Sequence, residues 1–292
     1  MRNLPPKSLA MTETEFSHYV GREQYQHDRV GAALVRRFAA ALDVPLADNS
    51  VPDGLHWCLC TPETPTEELG PDGHPKVGGF LPDMGLPRRM WAASEVEFFA
   101  PLTLDAKVTR ASRILSVERK DGRSGPLGFV KVAHETRCGD VLAVRETQTL
   151  VYREAQAARV ELPPIVNLLP EQLRDWQWHR ELTPEPVLLQ RFSALTFNSH
   201  RIHYDLPYAR EVEGYPGLVV HGPLMATLLL DLARRELGGD RLASFAFRAM
   251  SPAFAGQPLH LVGRSAGEEV ILQALGGDGR MVVDASAKLR EG

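Results

Sequence analysis

Cysteine is scarce in this chain: three in 292 residues, and only Cys58 and Cys60 stand close together. One C-x-C pair without a second pair does not make a tetrahedral zinc site, and three thiols do not make a disulfide framework. They read as reduced, partly buried thiols, which suits a reducing compartment. Long apolar runs are missing as well. The longest candidate, residues 222–237, is broken by Asp231 and then by arginines, and it falls short of the ~20 apolar residues that a membrane span needs. The N-terminal stretch has no apolar core of a secretory signal. There is no basic surplus: the formal net charge is -4, so the overall balance gives no argument for nucleic acid. Gly78 and Gly79 occur in "KVGGFLP" without phosphate-loop spacing. The expectation is a cytoplasmic globular protein with no membrane or nucleic-acid partner, no metal site and no cofactor.

Hydrophobic content of 43% and charged content of 24% are ordinary for such a protein. The length suits one large domain or two smaller ones. Two helices stand out. "DRVGAALVRRFAAALDVP" offers Asp28 as an N-cap, an apolar body, and Pro45 beyond its end. "HGPLMATLLLDLARRELGG" has Pro223 just inside its start and Gly238 and Gly239 past its end. Leucines surround much of the second helix, as expected of a helix enclosed by other structure.

Strand-like runs follow each helix, many alternating apolar and polar residues. The first set is "SEVEFFAPL", "LDAKVTRASRILSVERK", "LGFVKVAHETR" and "VLAVRETQTLVYRE". The second is "LASFAFRAM", "PLHLVGRSA", "EVILQALGG" and "RMVVDASAKLR". Residues 98–108 and 249–259 echo one another, with Pro101 and Pro252 each four residues before a turn-prone position, Asp105 or Gly256. Two related halves are therefore expected, 1–153 and 176–292, joined by a connector over 154–175 that contains a Pro-Pro break. The fold class is α+β. A buried helix wrapped by a strongly curved antiparallel sheet is the hotdog arrangement, and two of them make a double hotdog. Unpaired sheet edges are costly, so the halves are expected to join edge to edge or cover one another.

Three of the ten histidines fall between 200 and 221. His203 can exchange a proton near neutral pH. Asn198 can hold a water or a carbonyl but cannot act as a base. Gly222 sits where a helix begins. Its N–H lacks an intrahelical acceptor, lies at the positive end of the helix dipole, and can stabilise an oxyanion. The plainer reading of Gly222 is a tight entry into a packed helix. His200 is left open between facing His203 and facing away, and His221 is read as orienting the loop. Tyr204 is assigned to packing. Asp205 is either a second base or, by the stronger argument, the cap of a short helix.

The stretch "FNSHRIHYDLPYAREVEGYPGLVVHGPLMATLL" resembles the motif of MaoC-type hydratases and dehydratases. That motif has an aspartate, a histidine five residues later, and a downstream His-Gly entering the central helix; the matching positions are Asn198, His203, His221 and Gly222. The departure is Asn198, an amide where the general motif has a carboxylate. The Asn-x-His-[RK]-Ile-His pattern is similar to a subgroup, the type-2 hydroxyacyl-thioester dehydratases and the itaconyl-CoA or mesaconyl-C4-CoA hydratases. "DGHPKVGGFLPDMGLPRRMWA", "GRSGPLGFV" and "LVYRE" look like that subgroup too.

The resemblance implies a hotdog fold, an acyl-CoA substrate, and reversible addition of water to a 2-enoyl thioester, as in itaconate degradation. His203 would be the base, with Asn198 beside it and the Gly222 N–H on the thioester oxygen. Arg201, Arg88 and Arg89 are candidates for a free carboxylate or for CoA phosphates, with solvent exposure as the alternative. His200 and His221 join them as substrate-side residues. A homo-oligomer is expected. Competing readings are a fatty-acid-type 3-hydroxyacyl-thioester dehydratase, a thioesterase using Asp231, and a noncatalytic acyl-thioester binder.

Overall fold

The computed structural model describes residues 15–46, 50–122, 125–155, 161–166, 168 and 170–290. Its strands are β1 (Glu23–Arg29), β2 (Arg88–Phe98), β3 (Lys107–Gly122), β4 (Gly125–Cys138), β5 (Val141–Arg153), β6 (Trp178–Leu182), β7 (Leu242–Ala249), β8 (Leu259–Ala266), β9 (Glu269–Gly276) and β10 (Met281–Leu289). Its helices are α1 (Ala32–Leu42), α2 (Pro170–Leu173), α3 (Pro186–Leu195), α4 (Leu206–Glu211) and α5 (Gly222–Leu237). The strands form one ten-stranded antiparallel sheet in the order β1-β3-β4-β5-β2-β7-β10-β9-β8-β6. The seam is the β2–β7 ladder, where Ala93 faces Arg248 and Glu97 faces Ser244. Edge-to-edge joining removes two free sheet edges in one step.

The strand order reads the same from either end, with β1 matching β6, β3 matching β8, β4 matching β9, β5 matching β10 and β2 matching β7. The faint sequence echo is structural. Phe99 and Ala100 both donate to Ala143 O, and Met250 and Ser251 both donate to Val282 O in the corresponding place. Asp105 and Gly256 then take the same left-handed backbone, with φ of 61° and 78°.

The halves differ in the segment between their first helix and their second strand. The sequence suggested a helix wrapped by each set of strands, with the Asp28 segment supplying the first. Asp28 instead lies within β1 and accepts from the backbone N–H of Arg29 and of Cys60. Helix α1 starts after Gly31. It follows β1 as α3 follows β6, and it packs on α3. Its apolar face of Val35, Phe38, Ala39 and Leu42 is buried while Arg36 and Arg37 are exposed. The helix enclosed by sheet is α5, which packs against β8, β9, β10, β6 and β2. Ten of its consecutive residues, Leu224 to Ala233, are buried. Among the described residues no long helix stands between α1 and β2; the chain there makes 3-10 turns at Leu55–Cys58 and Thr66–Glu68. The first half thus has the wrapping sheet without a wrapped helix.

One charge lies inside the α5 packing. Asp231 is 5% exposed. It accepts from Arg180 Nη1 at 2.8 Å, Arg234 Nη2 at 3.1 Å and Arg235 Nε at 2.6 Å. Three guanidiniums share this one buried carboxylate, and it is absent from the large cavity described below. This removes the residue on which a thioesterase reading depended. Because the arginines are partly exposed, Asp231→Asn is expected to cost about 2–3 kcal/mol, below the full penalty for a broken buried pair. Urea unfolding measures this, and a change under about 0.5 kcal/mol would show the cluster to be energetically idle.

Candidate active site

Helix α3 ends with Phe197 in the left-handed region, φ 48°, and the Asn198 N–H reaching back to Ser193 O at 2.8 Å. This closure usually employs glycine at the left-handed position. A bulky residue there stores strain next to a polar side chain. The chain turns at once into the 3-10 turn Arg201–His203. Asn198 Oδ1 accepts the His200 N–H at 3.0 Å, leaving the amide NH2 end of Asn198 for a ligand. Asp205 then caps α4, accepting from the Tyr208 N–H at 3.1 Å, as the sequence suggested.

His203 is buried, and its Nδ1 donates to the Val219 carbonyl at 2.7 Å. That bond places the proton on Nδ1 and leaves Nε2 as a free lone pair. The ring stacks on His221, with centroids 3.5 Å apart and planes 19° apart. His221 is the N-cap residue of α5, and its Nε2 lies 2.8 Å from Ser193 Oγ. Gly222 is the first residue of α5, followed by Pro223, which has no N–H. The imidazole stack therefore sets His203 beside the N-terminus of the central helix.

Burial drives the His203 pKa well below its ordinary value, with His221 and then His200 adding to the effect and the Val219 hydrogen bond opposing it. Burial, followed by His200, takes His221 down to about 3. Both rings are neutral at neutral pH, as a general base requires.

A cavity of about 1710 Å³ joins these groups. Both halves line it: the first half, which has no wrapped helix among the described residues, contributes a sheet wall that includes Ser112, His134, Glu146 and Gln148. Asn198, His200, His203, His221, Gly222, Arg88 and Arg89 all line it. Arg201 does not. Its Nε and Nη2 bond Asp205 Oδ2 at 3.0 and 2.8 Å, its Nη1 bonds Pro71 O at 3.0 Å, and its guanidinium lies over Tyr208. Arg201 is a structural clamp, which corrects its assignment as a substrate contact. Tyr204 is half exposed at the cavity margin, and its hydroxyl donates to Ser199 O.

Residues that the sequence did not single out complete the site. His74 stands in the quoted "DGHPKVGG" segment, but only the fold brings it to His200, at a centroid distance of 4.1 Å. Its Nδ1 lies 2.9 Å from Asp72 Oδ2. Glu213 is 7% exposed and accepts from Arg88 Nε at 3.1 Å. Glu146 is buried beneath Ser94 Oγ at 2.5 Å and Trp57 Nε1 at 3.2 Å.

Among the described residues, two clusters place three metal-ligating atoms within 4.8 Å of one another, Asp72/His74/His200 and His179/Glu181/His260. In each cluster two residues stand two positions apart and the third is remote in sequence, so spacing did not reveal the group. In the first cluster the Asp72–His74 hydrogen bond already uses the facing atoms of that pair.

Solved structures with the same fold include HtdX of Mycobacterium tuberculosis, 16% identical, with a TM-score of 0.68 and coverage of 92% of this chain and 100% of that one. A MaoC-like dehydratase from Phytophthora capsici is 17% identical with a TM-score of 0.66, covering 93% and 97%. The architecture is thus the MaoC-like double hotdog. Residues 54–255 match the family described as hydroxyacyl-thioester dehydratase type 2, and the chain belongs to that family. Among its relatives, the mesaconyl-C(4)-CoA hydratase of Chloroflexus aurantiacus is 40% identical over 96% of this chain and 99% of that protein. The mitochondrial hydroxyacyl-thioester dehydratase type 2 of Schizosaccharomyces pombe is 29% identical over 73% of this chain and 77% of that protein.

Two outcomes follow from this geometry. With His203 read as a base that works as the neutral imidazole, burial delays its protonation, so kcat/KM should hold steady as the pH falls through 6.5 and decline only at lower pH. A pH–rate profile with its acid limb at or above 6.5 would contradict this. The loop carrying His74 is pressed on the segment that carries Asn198 and His203: a Cβ on Gly73, at φ +89°, would lie 1.9 Å from Ser199 O. Gly73→Ala should destabilise the fold by roughly 2–4 kcal/mol and lower kcat/KM, as read by thermal unfolding and steady-state kinetics.

Proposed function

We propose that the protein is an acyl-CoA hydratase that adds water reversibly to a short, branched 2-enoyl thioester carrying a second carboxylate, of the mesaconyl-C4-CoA kind; itaconyl-CoA, with its double bond one carbon further from the thioester, is the related C5 dicarboxylic candidate. The observation that carries this reading is a single cavity lined by a neutral imidazole with a free Nε2 and by the N-terminus of α5 at Gly222. The relative named as a mesaconyl-C(4)-CoA hydratase, matched along nearly its whole length, supports the choice of acyl group. We place the reaction in cytoplasmic degradation of C5 dicarboxylic acids such as itaconate.

The thioester oxygen accepts the Gly222 N–H at the positive end of α5, drawing electrons from the double bond toward the carbonyl. A water held by the Asn198 amide loses a proton to His203 Nε2 as its oxygen bonds to the β-carbon. The π electrons move to the thioester oxygen as an enolate. His203 then returns the proton to the α-carbon, the enolate collapses, and the net change is H and OH added across the double bond. One imidazole serving as base and then acid removes the need for a carboxylate at position 198. The polar sheet wall of Ser112, His134, Glu146 and Gln148 favours a short polar acyl group over a long apolar one.

The test offers mesaconyl-C4-CoA, itaconyl-CoA and crotonyl-CoA in parallel, following enoyl absorbance and free thiol. Enoyl absorbance should fall without thiol release, fastest with a dicarboxylic substrate. Thiol release would mark a thioesterase, and binding without turnover a carrier. His203→Ala should lower kcat by about 10²–10⁴ with an unchanged circular dichroism spectrum; full turnover in that variant would end the assignment.

A further inference from the structure

Arg88 and Arg153 face one another directly across the β2–β5 ladder, and Arg89 is next to them in β2. All three line the cavity. Arg88 is only 5% exposed. Its Nε is held by Glu213 at 3.1 Å and its Nη2 by Val212 O at 3.3 Å, while its Nη1 is buried without a partner among the described residues. Arg153 donates from Nη2 to the Tyr215 hydroxyl at 2.9 Å, and its Nε is likewise buried and unpartnered.

A buried guanidinium N–H without an acceptor is costly, and proteins rarely leave one so without a reason. Here two occur on neighbouring side chains. Glu213 neutralises one of three cations, so the group keeps a positive excess. The location is tied to the chemistry: Glu213 Oε1 lies 4.0 Å from His200 Nε2, and the His200 ring meets His203 edge to face at 5.4 Å.

We infer that Arg88, Arg89 and Arg153 form a carboxylate subsite that holds the free carboxylate of the acyl group next to the reacting carbon. This rests on the hydratase reading above and adds the residues that select the dicarboxylic substrate. In mesaconyl-C4-CoA the second carboxylate is attached to the β-carbon that receives water, so its binding site has to adjoin the base. A planar carboxylate matches two N–H groups offered from adjacent guanidiniums. The anionic alternative is a phosphate of the CoA carrier. The burial of the two free N–H groups favours the small acyl carboxylate over a large, hydrated headgroup.

Arg88 is left intact in the test, because removing it would leave Glu213 buried and unpaired. Arg153→Gln, Arg153→Lys and Arg89→Gln are compared with the native chain on mesaconyl-C4-CoA and on crotonyl-CoA, which share the carrier but differ in charge on the acyl group. The ratio of kcat/KM for mesaconyl-C4-CoA to that for crotonyl-CoA should fall about 30-fold or more in Arg153→Gln, with Arg153→Lys between it and the native chain. Equal losses on both substrates would mean a phosphate contact or a structural role and would overturn the subsite, as would an unchanged ratio.

Binding of the same two thioesters is also measured by calorimetry on His203→Ala, with and without Arg153→Gln. Selective loss of mesaconyl-C4-CoA affinity supports the subsite even if no turnover is found, the result that would defeat the hydratase reading alone. Undiminished affinity overturns the subsite whatever the enzyme's activity.

Discussion

The hydrogen bond from His203 Nδ1 to the Val219 carbonyl, 2.7 Å long, decides what the site can do. An imidazole has two nitrogens, and only one can keep a lone pair in the neutral ring. Donating Nδ1–H to a main-chain oxygen settles which one. The acceptor is rigidly placed: the Val219 N–H bonds Ile202 O at 3.0 Å and the Val220 N–H bonds Ala253 O at 2.9 Å. The segment between the 3-10 turn and α5 is thereby stitched to the histidine on one side and to the β7–β8 loop on the other. Without that backbone, His203 would be one more buried ring.

Burial does the second part of the work. The histidine cluster is enclosed, and an imidazolium loses most of its hydration there, so His203, His221 and His74 all remain neutral. The loop holding His74 is kept against the segment that carries Asn198 and His203 by backbone and side chain alike. The Arg201 N–H bonds Asp72 O at 2.9 Å, the Ser199 hydroxyl bonds Gly73 O at 2.5 Å, and the Arg201 guanidinium bonds Pro71 O at 3.0 Å. Arg201 therefore contributes through position: it pins one wall of the cavity.

Much of this was legible because it is local. Asn198, His203 and Gly222 lie within 25 residues, and a proline after Gly222 with glycines after Leu237 delimits α5. The strand runs are long and alternate clearly, and the Pro101–Pro252 echo marked a real repeat. Long-range partners were not legible. Nothing near Arg201 shows that Pro71 will meet it, so its charge looked available. Arg153 and Glu213 acquire meaning only when the β2–β5 register and the chain after α4 bring them to Arg88. The apolar stripe of α1 declares a helix but not whether a sheet will enclose it, and α1 proved to be the counterpart of α3.

The absent helix in the first half has a further consequence. Two identical hotdogs would give a scaffold with no direction, each end able to do what the other does. Here one end retains the helix and supplies its positive terminus and its histidines, while the other surrenders the helix and gains room. The molecule has acquired a polarity, with the helix terminus and its histidines supplied by one half and a helix-free sheet wall by the other. The cavity draws its lining from both, so neither half encloses it alone.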